Sequence, residues 1–282
     1  MTAETLRNAT RGVRRSRRAW TRGFLLGALL TVSLTASAQS DDPLAPFLGT
    51  WSGYFTTQED PFWHAEDLIC FPGCPLEMYQ HLAELVRDPA NDKRSFGDLV
   101  SEATALADKK LDSILTPLGR QVRAANGPDN DPKLHCQPYG FVREATNALP
   151  LIIRRDGDDL LIHYEEWSLL RTIYMDGRPH PEHRTPTLLG HSVGRVENGV
   201  LIVETAQVNP DWISDSTHAG HSGELTAVER YSVLDGPRRL ELELTIRDPA
   251  TLTAPYVITK TWLATPDVEL LQDRCSALPG KF

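Results

Sequence analysis

Two glutamates, Glu204 and Glu229, occupy strand positions where the sequence is otherwise apolar. Glu204 is one of the even-numbered residues of a β-like run at 200–208, and Glu229 is one of the odd-numbered residues of a run at 225–233. Because strand side chains alternate between two faces, each carboxylate is predicted to share a face with apolar neighbours. A carboxylate there must be paired, be protonated or face a cavity. The pattern therefore predicts a polar interior site in a β-rich protein.

Such carboxylates favour general acid and base catalysis without a cofactor. An apolar wall raises the pKa of a carboxyl group towards neutrality, where histidine already titrates. Further polar residues in the same region are predicted to meet the glutamates at strand ends and loops: Tyr174, Asp176, His180, His191 and His221. We expect Glu229 and Glu204 to act as acid and base. The others would orient the substrate, share protons or, in the case of Tyr174, donate a hydrogen bond.

A structural role is the alternative for each glutamate. An internal ion pair with Arg171 or Arg195 would satisfy a buried carboxylate, and so would a hydrogen bond that sets the strand register. Ion pairs of this kind also perturb pKa values, so the pattern alone does not separate the two roles.

A divalent metal site is a second alternative, although no metal is favoured. His180 and His183 are three residues apart, as are His218 and His221, and with Glu204 they could supply three ligands and leave a position open. A proline or a glycine inside each pair favours a loop over a helix face. The spacing therefore does not pre-form a metal site.

Two other chemistries are excluded by local sequence. The segment 190–194 reads Gly-His-Ser-Val-Gly, which has the residues of a serine hydrolase elbow, but it leads into a strand. The elbow requires a strand, a turn and then a helix to expose its hydroxyl group. No glycine-rich phosphate loop or dinucleotide fingerprint is present either.

The fold is predicted to be mainly β. Runs that are typical of strands occur at 48–55, 151–154, 160–165, 169–175, 192–196, 200–208, 225–233, 240–246 and 256–263. The dipeptides Asp156-Gly157, Asn198-Gly199 and Asp235-Gly236 favour tight hairpins between neighbouring runs. About nine antiparallel strands could curl into a lipocalin-like barrel or a strongly curved meander and so avoid exposed edges. Gly49-x-Trp51 resembles the first strand of such barrels.

A helical insertion is predicted at about 75–125. Apolar residues recur there at helical spacing, Ser95 with Asp98 is an N-terminal capping signal, and Pro117 should end a helix near Thr116. A helical hairpin against the sheet is the simpler interpretation of this segment. A mobile lid over a ligand cavity is the functional one.

The first 38 residues are predicted to be a secretory signal peptide, and residues 39–282 a single barrel domain. Residues 1–22 hold seven arginines, an apolar run follows at 24–34, and Ala36-Ser-Ala38 provides a cleavage signal. A paired arginine at 17–18 loosely matches a twin-arginine signal. Without this segment the chain has 22 basic and 37 acidic residues, which disfavours nucleic-acid and anionic membrane partners. A periplasmic or secreted location follows.

All four cysteines lie in the predicted exported part. An even number in an oxidising compartment favours two disulfides, Cys70 with Cys74 and Cys136 with Cys275, although three pairings are formally open. A zinc site is disfavoured by the wide separation of the last two cysteines.

Several of these segments resemble a group of exported bacterial proteins of largely uncharacterised function. The most specific segment is Ile173-Tyr-Met-Asp-Gly-Arg-Pro-His-Pro181, accompanied by Gly190-His-Ser-Val-Gly194 and Glu229-Arg-Tyr231. The resemblance covers roughly residues 110–282. It implies shared polar positions at Asp176, Arg178, His180, His191 and Glu229, with glutamate at 204 in place of the group's usual aspartate. It does not include His183 or His218.

The function predicted from these observations is cofactor-independent proton-transfer catalysis, namely isomerisation, cyclisation or hydration of a hydrophobic small molecule. A metal-dependent hydrolase or lyase and a non-catalytic carrier of hydrophobic ligands stay open. No nucleic-acid partner and no stable membrane insertion after signal removal are expected.

Overall fold

A computed structural model of the chain describes residues 42–52, 74–147, 149–214, 217–234, 238–271 and 275. The predicted signal peptide at 1–38, Cys70 and the predicted turn at Asp235-Gly236 lie outside the described residues. Within the described ranges no helix is long and apolar enough to cross a membrane.

The described strands confirm the prediction of a mainly β fold. In chain order they are β1 (Gly49–Ser52), β2 (Cys74–Pro75), β3 (Leu151–Asp156), β4 (Asp159–Tyr164), β5 (Leu170–Tyr174), β6 (His191–Glu197), β7 (Val200–Ala206), β8 (Asp211–Trp212), β9 (Gly220–His221), β10 (Thr226–Leu234), β11 (Arg239–Arg247) and β12 (Tyr256–Ala264). Nine of them close into a barrel in the order β1-β3-β4-β5-β6-β7-β10-β11-β12, with β12 pairing back to β1. β2 adds to β12, and β8 and β9 form a separate ribbon.

The barrel is mixed rather than purely antiparallel, which corrects one part of the prediction. β5 and β6 run parallel and pair only at Ile173 with Ser192 and at Tyr174 with Val193. The segment 175–190 must therefore cross back along the wall before β6 begins. This segment has no tight hairpin geometry, because a parallel pair cannot be joined by a two-residue turn.

The predicted hairpin at Asn198-Gly199 joins β6 to β7. Both residues have positive φ, 51° and 78°, as the type I′ turn requires. Glycine tolerates this conformation because it has no Cβ, and asparagine is one of the few other residues that adopts it readily. The turn keeps β6 and β7 in register from His191 opposite Ala206 to Glu197 opposite Val200.

The helical insertion is confirmed. Its helices are α1 (Leu76–Arg87), α2 (Phe96–Ile114) and α3 (Pro117–Ala125), and a short α4 (Phe141–Thr146) follows. Ser95 Oγ accepts a hydrogen bond from the Asp98 N–H at 3.1 Å, and Thr116 caps α3 in the same way. α1 and α2 pack together over a small core of their own, made of Cys74, Leu82, Val86, Leu99 and Ala103.

A disulfide joins Cys136 to Cys275, as predicted. Cys74 is also disulfide-bonded. The first bond ties the end of the chain to the loop before α4, whose Phe141, Val142 and Ala145 belong to the same core as the barrel strands. It closes a loop of 139 residues, and closing a loop of this size removes much conformational freedom from the unfolded chain.

A row of polar side chains crosses the largely apolar barrel interior. Four strands that are neighbours in the barrel each supply one side chain to it, in the order Arg171 (β5), Ser192 (β6), Thr205 (β7) and Glu229 (β10). Each of the four is at most 2 % exposed. The interior position predicted for Glu229 is therefore confirmed.

Arg171 and Glu229 form a bidentate ion pair at the centre of this row. Arg171 Nη1 donates to Glu229 Oε1 at 2.9 Å, and Nη2 donates to Oε2. The remaining donors of the guanidinium group reach Ser192 Oγ at 3.0 Å, Thr205 Oγ1 at 2.7 Å and Tyr164 Oη at 3.3 Å. Both charges are thus neutralised and hydrogen-bonded, which is what an interior ion pair requires.

Aromatic residues enclose the ion pair. Tyr231 Oη donates to Glu229 Oε1 at 2.7 Å, and the Arg171 guanidinium carbon lies 4.5 Å from the centre of the Phe141 ring. Burial raises the pKa of Tyr164 to about 12, so this phenol stays neutral beside the pair. The structural alternative for Glu229, an internal ion pair with Arg171, is the arrangement that the structure has.

We expect Glu229→Gln to destabilise the protein by about 3–5 kcal/mol, because it leaves the Arg171 charge buried and unpaired. Urea unfolding would measure this loss. The matched control is Glu204→Gln, which breaks an exposed pair with Arg195 and should cost less than about 1 kcal/mol. Equal costs for the two variants would contradict this account of the interior.

Lys260 is another ionisable residue of the interior, and it has no carboxylate partner like that of Arg171 among the described residues. Its side chain is in β12 and is 1 % exposed, and Nζ makes no hydrogen bond to any described residue. Nζ lies 4.8 Å from the centre of the Trp262 ring, which offers a weak cation–π contact. Burial lowers the pKa of Lys260 from 10.5 to about 7.

This lysine makes stability depend on pH. Between about pH 7 and 10.5 the unfolded chain holds the Lys260 proton more tightly than the folded one, so stability should rise as pH rises through that range. We expect Lys260→Met to be more stable than the parent at pH 7.5. The advantage should shrink by about 1.4 kcal/mol per pH unit towards pH 9.5.

Denaturant unfolding at several pH values would measure this difference. Lys109→Met removes an exposed lysine on α2 and is the matched control. If the difference between Lys260→Met and the parent did not change with pH, the lysine would be charged in the folded state.

Candidate functional site

A cleft of about 310 Å³ follows the seam between β5 and β6. It exists because only the last two residues of β5 pair with β6, so the start of β5 stands apart from the incoming chain at 187–190. Its apolar lining consists of four leucines, Leu169, Leu170, Leu188 and Leu189. Its polar lining consists of Arg171, Thr172, Tyr174, Arg184, Thr187, His191 and Ser192. Mixed linings of this kind are typical of small-molecule sites.

Two histidines are in direct contact at this seam. His180 Nδ1 and His191 Nδ1 are 2.8 Å apart, and the ring planes are at 76°. His191 begins β6, directly after Gly190, whose φ of 70° and close approach to the Ala206 carbonyl leave no room for a Cβ. His180 comes from the crossover segment. His191 is 4 % exposed, whereas His180 is half-buried.

The short distance between the rings requires that the two histidines share one proton. One Nδ1 donates and the other accepts, so each neutral ring leaves Nε2 in the complementary state, one with a hydrogen and one with a lone pair. Burial lowers the pKa of His191, and the neighbouring His180 adds to this effect. Burial also lowers the pKa of His180. The pair is therefore neutral near pH 7.

Tyr174 stacks on His191, and Arg178 in turn stacks on Tyr174. The Tyr174 and His191 rings lie 5.0 Å apart at 26°, and the Arg178 guanidinium carbon is 4.0 Å from the centre of the Tyr174 ring. Asp176 holds Arg178 in place through hydrogen bonds to Nε and Nη2, and these lower the pKa of Asp176 to about 2. Asp176 is thus a fixed anion that positions Arg178 rather than a proton donor.

The prediction that Glu204 faces the interior is wrong. The interior side chains of β7 are Leu201, Val203 and Thr205, and Glu204 is on the outer face, where its side chain is 48 % exposed. Arg195 Nη1 donates to Glu204 Oε1 at 2.5 Å. The run 200–203 is apolar at every position, so it does not show whether its odd-numbered or its even-numbered residues face inward. A shift of one residue exchanges the two faces.

Glu204 nevertheless acts on the histidine pair. Its charge raises the pKa of His180, in opposition to the effect of burial. Tyr174, His191 and Glu204 all project from the outer face of the wall, because Arg171, Ser192 and Thr205 take the alternating inward positions. The predicted residues are therefore divided by the barrel wall: Glu229 lies inside it, and the histidine pair lies outside, beneath the crossover segment.

His221 lies in another part of the protein, in the ribbon strand β9, and lines a different cleft. His218 is near Trp212 with ring centres 5.1 Å apart, and His183 is exposed in the crossover. The two His-x-x-His pairs thus do not converge on one site. Among the described residues no group of three His, Cys, Asp or Glu side chains is arranged to hold a metal ion.

No protein-family model matches the chain, and searches of curated proteins and of solved structures find no match. The resemblance to exported bacterial proteins therefore stays a prediction.

The sequence does not reveal part of the cleft lining or two of the four residues of the interior row, Ser192 and Thr205. Arg184 is an exposed residue in a proline-rich loop, and nothing in its local sequence separates it from solvent-facing arginines. Ser192 and Thr205 are ordinary strand residues. Only the register between β6, β7 and β10 shows that their side chains face inward, as that of Glu229 does. Lys260 carried a usable signal, because it interrupts the inward-facing set Tyr256, Ile258 and Trp262.

The histidine pair predicts a specific titration behaviour. The exposed Arg184 lowers the pKa of His191, so Arg184→Gln should raise that pKa without loss of packing. The pKa of His221, in the other cleft, should not change and serves as the internal control. Long-range ¹H–¹⁵N spectra of the imidazole rings would follow both residues, and a His191 pKa at or above 6.5 in the parent would contradict the neutral pair.

Proposed function

We propose that this protein is an enzyme that transfers protons on a small molecule held in the seam cleft, with His191 and His180 as the acid and base and without a cofactor. The observation that carries the proposal is the 2.8 Å contact between the two Nδ1 atoms beside the cleft. Two neutral imidazoles in contact can take up a proton at one end and release one at the other.

The proton path follows from the tautomers. When His191 Nδ1–H donates to His180, His191 Nε2 has a lone pair that can accept a proton from the substrate. The Nδ1 proton then passes to His180, and His180 releases its Nε2 proton towards solvent. One proton enters and one leaves, so neither ring carries a lasting charge in its buried position. Reversal of the path returns a proton to another atom of the substrate.

The outer residues support this path. Glu204 favours a proton on His180, the half-buried end, whereas Arg184 and Arg178 disfavour one on His191. The charges thus favour movement of a proton from the cleft end to the solvent end. Tyr174 stacks on His191 and restricts rotation of its ring, so that Nδ1 stays directed at His180.

The lining favours a substrate with an apolar body. The four leucines provide aliphatic contact, and isomerisation, cyclisation or hydration of such a molecule each requires one proton removed and one delivered. The Arg171–Glu229 pair would hold the strands that carry the site, since Arg171 and Ser192 belong both to the interior row and to the cleft lining.

A secreted or periplasmic location is part of the proposal. The Cys136–Cys275 disulfide is consistent with an oxidising compartment, and the arginine-rich leader predicted at 1–38 would direct export through the Sec or the twin-arginine route.

Hydrogen exchange into the substrate would test the proposal even while the product is unidentified. Aliphatic ketones and unsaturated acids would be incubated with the protein in ²H₂O, and deuterium uptake would be followed by mass spectrometry. For any compound exchanged by the parent, we expect His191→Gln and His180→Gln to lower the rate by about 10²–10⁴-fold.

His183→Gln removes an exposed histidine of the same segment and is the matched control, which should leave the rate unchanged. Exchange that survives both His191→Gln and His180→Gln would refute the assignment. Retention of an unaltered apolar molecule after purification, with no exchange of any compound, would favour the carrier function that the four leucines also allow.

A further inference from the structure

A second cleft, of about 430 Å³, lies between α3 and the β8–β9 ribbon, away from the seam. Asp211 and His221 face each other across the ribbon as directly paired residues. Gly220 allows the ribbon to approach α3 closely, because a Cβ there would come within 2.6 Å of Val122 Cγ1. Leu118, Val122, Pro132, Pro210 and Trp212 form the apolar part of the cleft.

His221 has a defined tautomer and an unused nitrogen. Its side chain is 3 % exposed, and Nδ1 lies 2.9 Å from the Ser222 carbonyl oxygen, which can only accept a hydrogen bond. Nδ1 therefore carries the hydrogen, and Nε2 of the neutral ring carries a lone pair. Nε2 has no hydrogen-bond partner among the described residues, and burial lowers the pKa of the ring. A buried polar atom without a partner is uncommon in native proteins.

Asp211 and Asn126 add further hydrogen-bond acceptors to the cleft. Asp211 Oδ2 accepts from the Gly140 N–H, whereas Oδ1 has no hydrogen-bond donor among the described residues. Asn126 Nδ2 donates a hydrogen bond to the His218 carbonyl. The Oδ1 atom of Asn126 is therefore also available to accept a hydrogen bond. The cleft thus offers lone pairs and a negative charge.

Three donor side chains of the cleft, in contrast, are engaged within the protein. The hydroxyl groups of Ser222 and Thr251 both donate to Asp248, and Asn130 Nδ2 donates to the Ala125 carbonyl. Asp248 accepts hydrogen bonds from these two hydroxyls and from the Ser222 and Ala250 N–H groups, so it acts as a support for the ribbon. A ligand that donates hydrogen bonds and carries positive charge matches this arrangement.

We propose that this cleft binds an organic ammonium ion with an apolar body, with Asp211 as the counterion and His221 Nε2 as an acceptor of one N–H hydrogen. An organic cation fits better than a metal ion for two reasons. A volume of about 430 Å³ lined by aliphatic and aromatic groups suits an organic molecule, and the described residues provide no set of three His, Cys, Asp or Glu ligands.

Calorimetric titration with 2-phenylethylamine at pH 7.5 tests the proposal. Two probes of similar shape, 3-phenylpropanoate and 3-phenylpropan-1-ol, carry a negative charge and no charge respectively. We expect the amine to bind and the other two to bind at least about tenfold more weakly, which is the loss expected for one charge-assisted hydrogen bond. Equal binding of the three probes would overturn the proposal, as would no binding of the amine.

Variants locate the site. Asp211→Asn and His221→Phe should each weaken amine binding at least about tenfold. Asp129→Asn, which removes an exposed carboxylate outside the cleft, and His191→Gln, which alters the seam site, should leave it unchanged. Loss of binding in His191→Gln would place the amine in the seam cleft and overturn the proposal.

A measurement on the parent protein covers the case in which His221→Phe does not fold. The ¹⁵N resonance of His221 Nε2 should shift when the amine is added, because a lone pair then accepts a hydrogen bond. A resonance that stays constant at saturating amine would overturn the proposal. Tight Zn²⁺ binding that Asp211→Asn abolishes would overturn it as well and identify a metal site.

Discussion

The ion pair between Arg171 and Glu229 constrains the rest of the barrel. Its two charges come from strands that are separated by two others, and the intervening strands each add a hydroxyl group, from Ser192 and Thr205, to the same network. Any slip in register along β5 to β10 would leave a charge in an apolar interior without its partner, at a cost that a marginally stable protein cannot carry. The polar row therefore specifies one arrangement of these strands.

The candidate catalytic residues depend on that arrangement although they lie on the other side of the wall. Alternation along β5 and β6 places Tyr174 and His191 outside because Arg171 and Ser192 are inside. The short parallel contact between β5 and β6 then creates both the cleft and the crossover that brings His180 to His191. In the proposed function, proton transfer takes place on the outer face of a wall whose inner face carries the Arg171–Glu229 network.

The histidines illustrate how one residue type acquires different properties from its surroundings. His180 and His191 satisfy each other, so their remaining nitrogens are complementary. His221 satisfies only Nδ1, through the Ser222 carbonyl, and its second nitrogen is left without a partner among the described residues. His183 stays exposed. In the sequence, His180 with His183 and His218 with His221 form equivalent His-x-x-His pairs. Only the spatial neighbours distinguish the proposed proton relay from the proposed binding group.

The sequence alone predicted the barrel class, most strand positions, the helical insertion and the interior position of Glu229, and it favoured the Cys136–Cys275 bond among three possible pairings. These features follow from short-range rules, namely alternation, helical spacing, turn dipeptides and cysteine parity. The tertiary structure decided the parallel β5–β6 contact, the outward direction of Glu204 and the partners of each charge. The physical reason lies in runs such as 200–203, where the residues of both strand faces are apolar. Which of these side chains face inward is decided by pairing with distant strands, and the local sequence does not record that pairing.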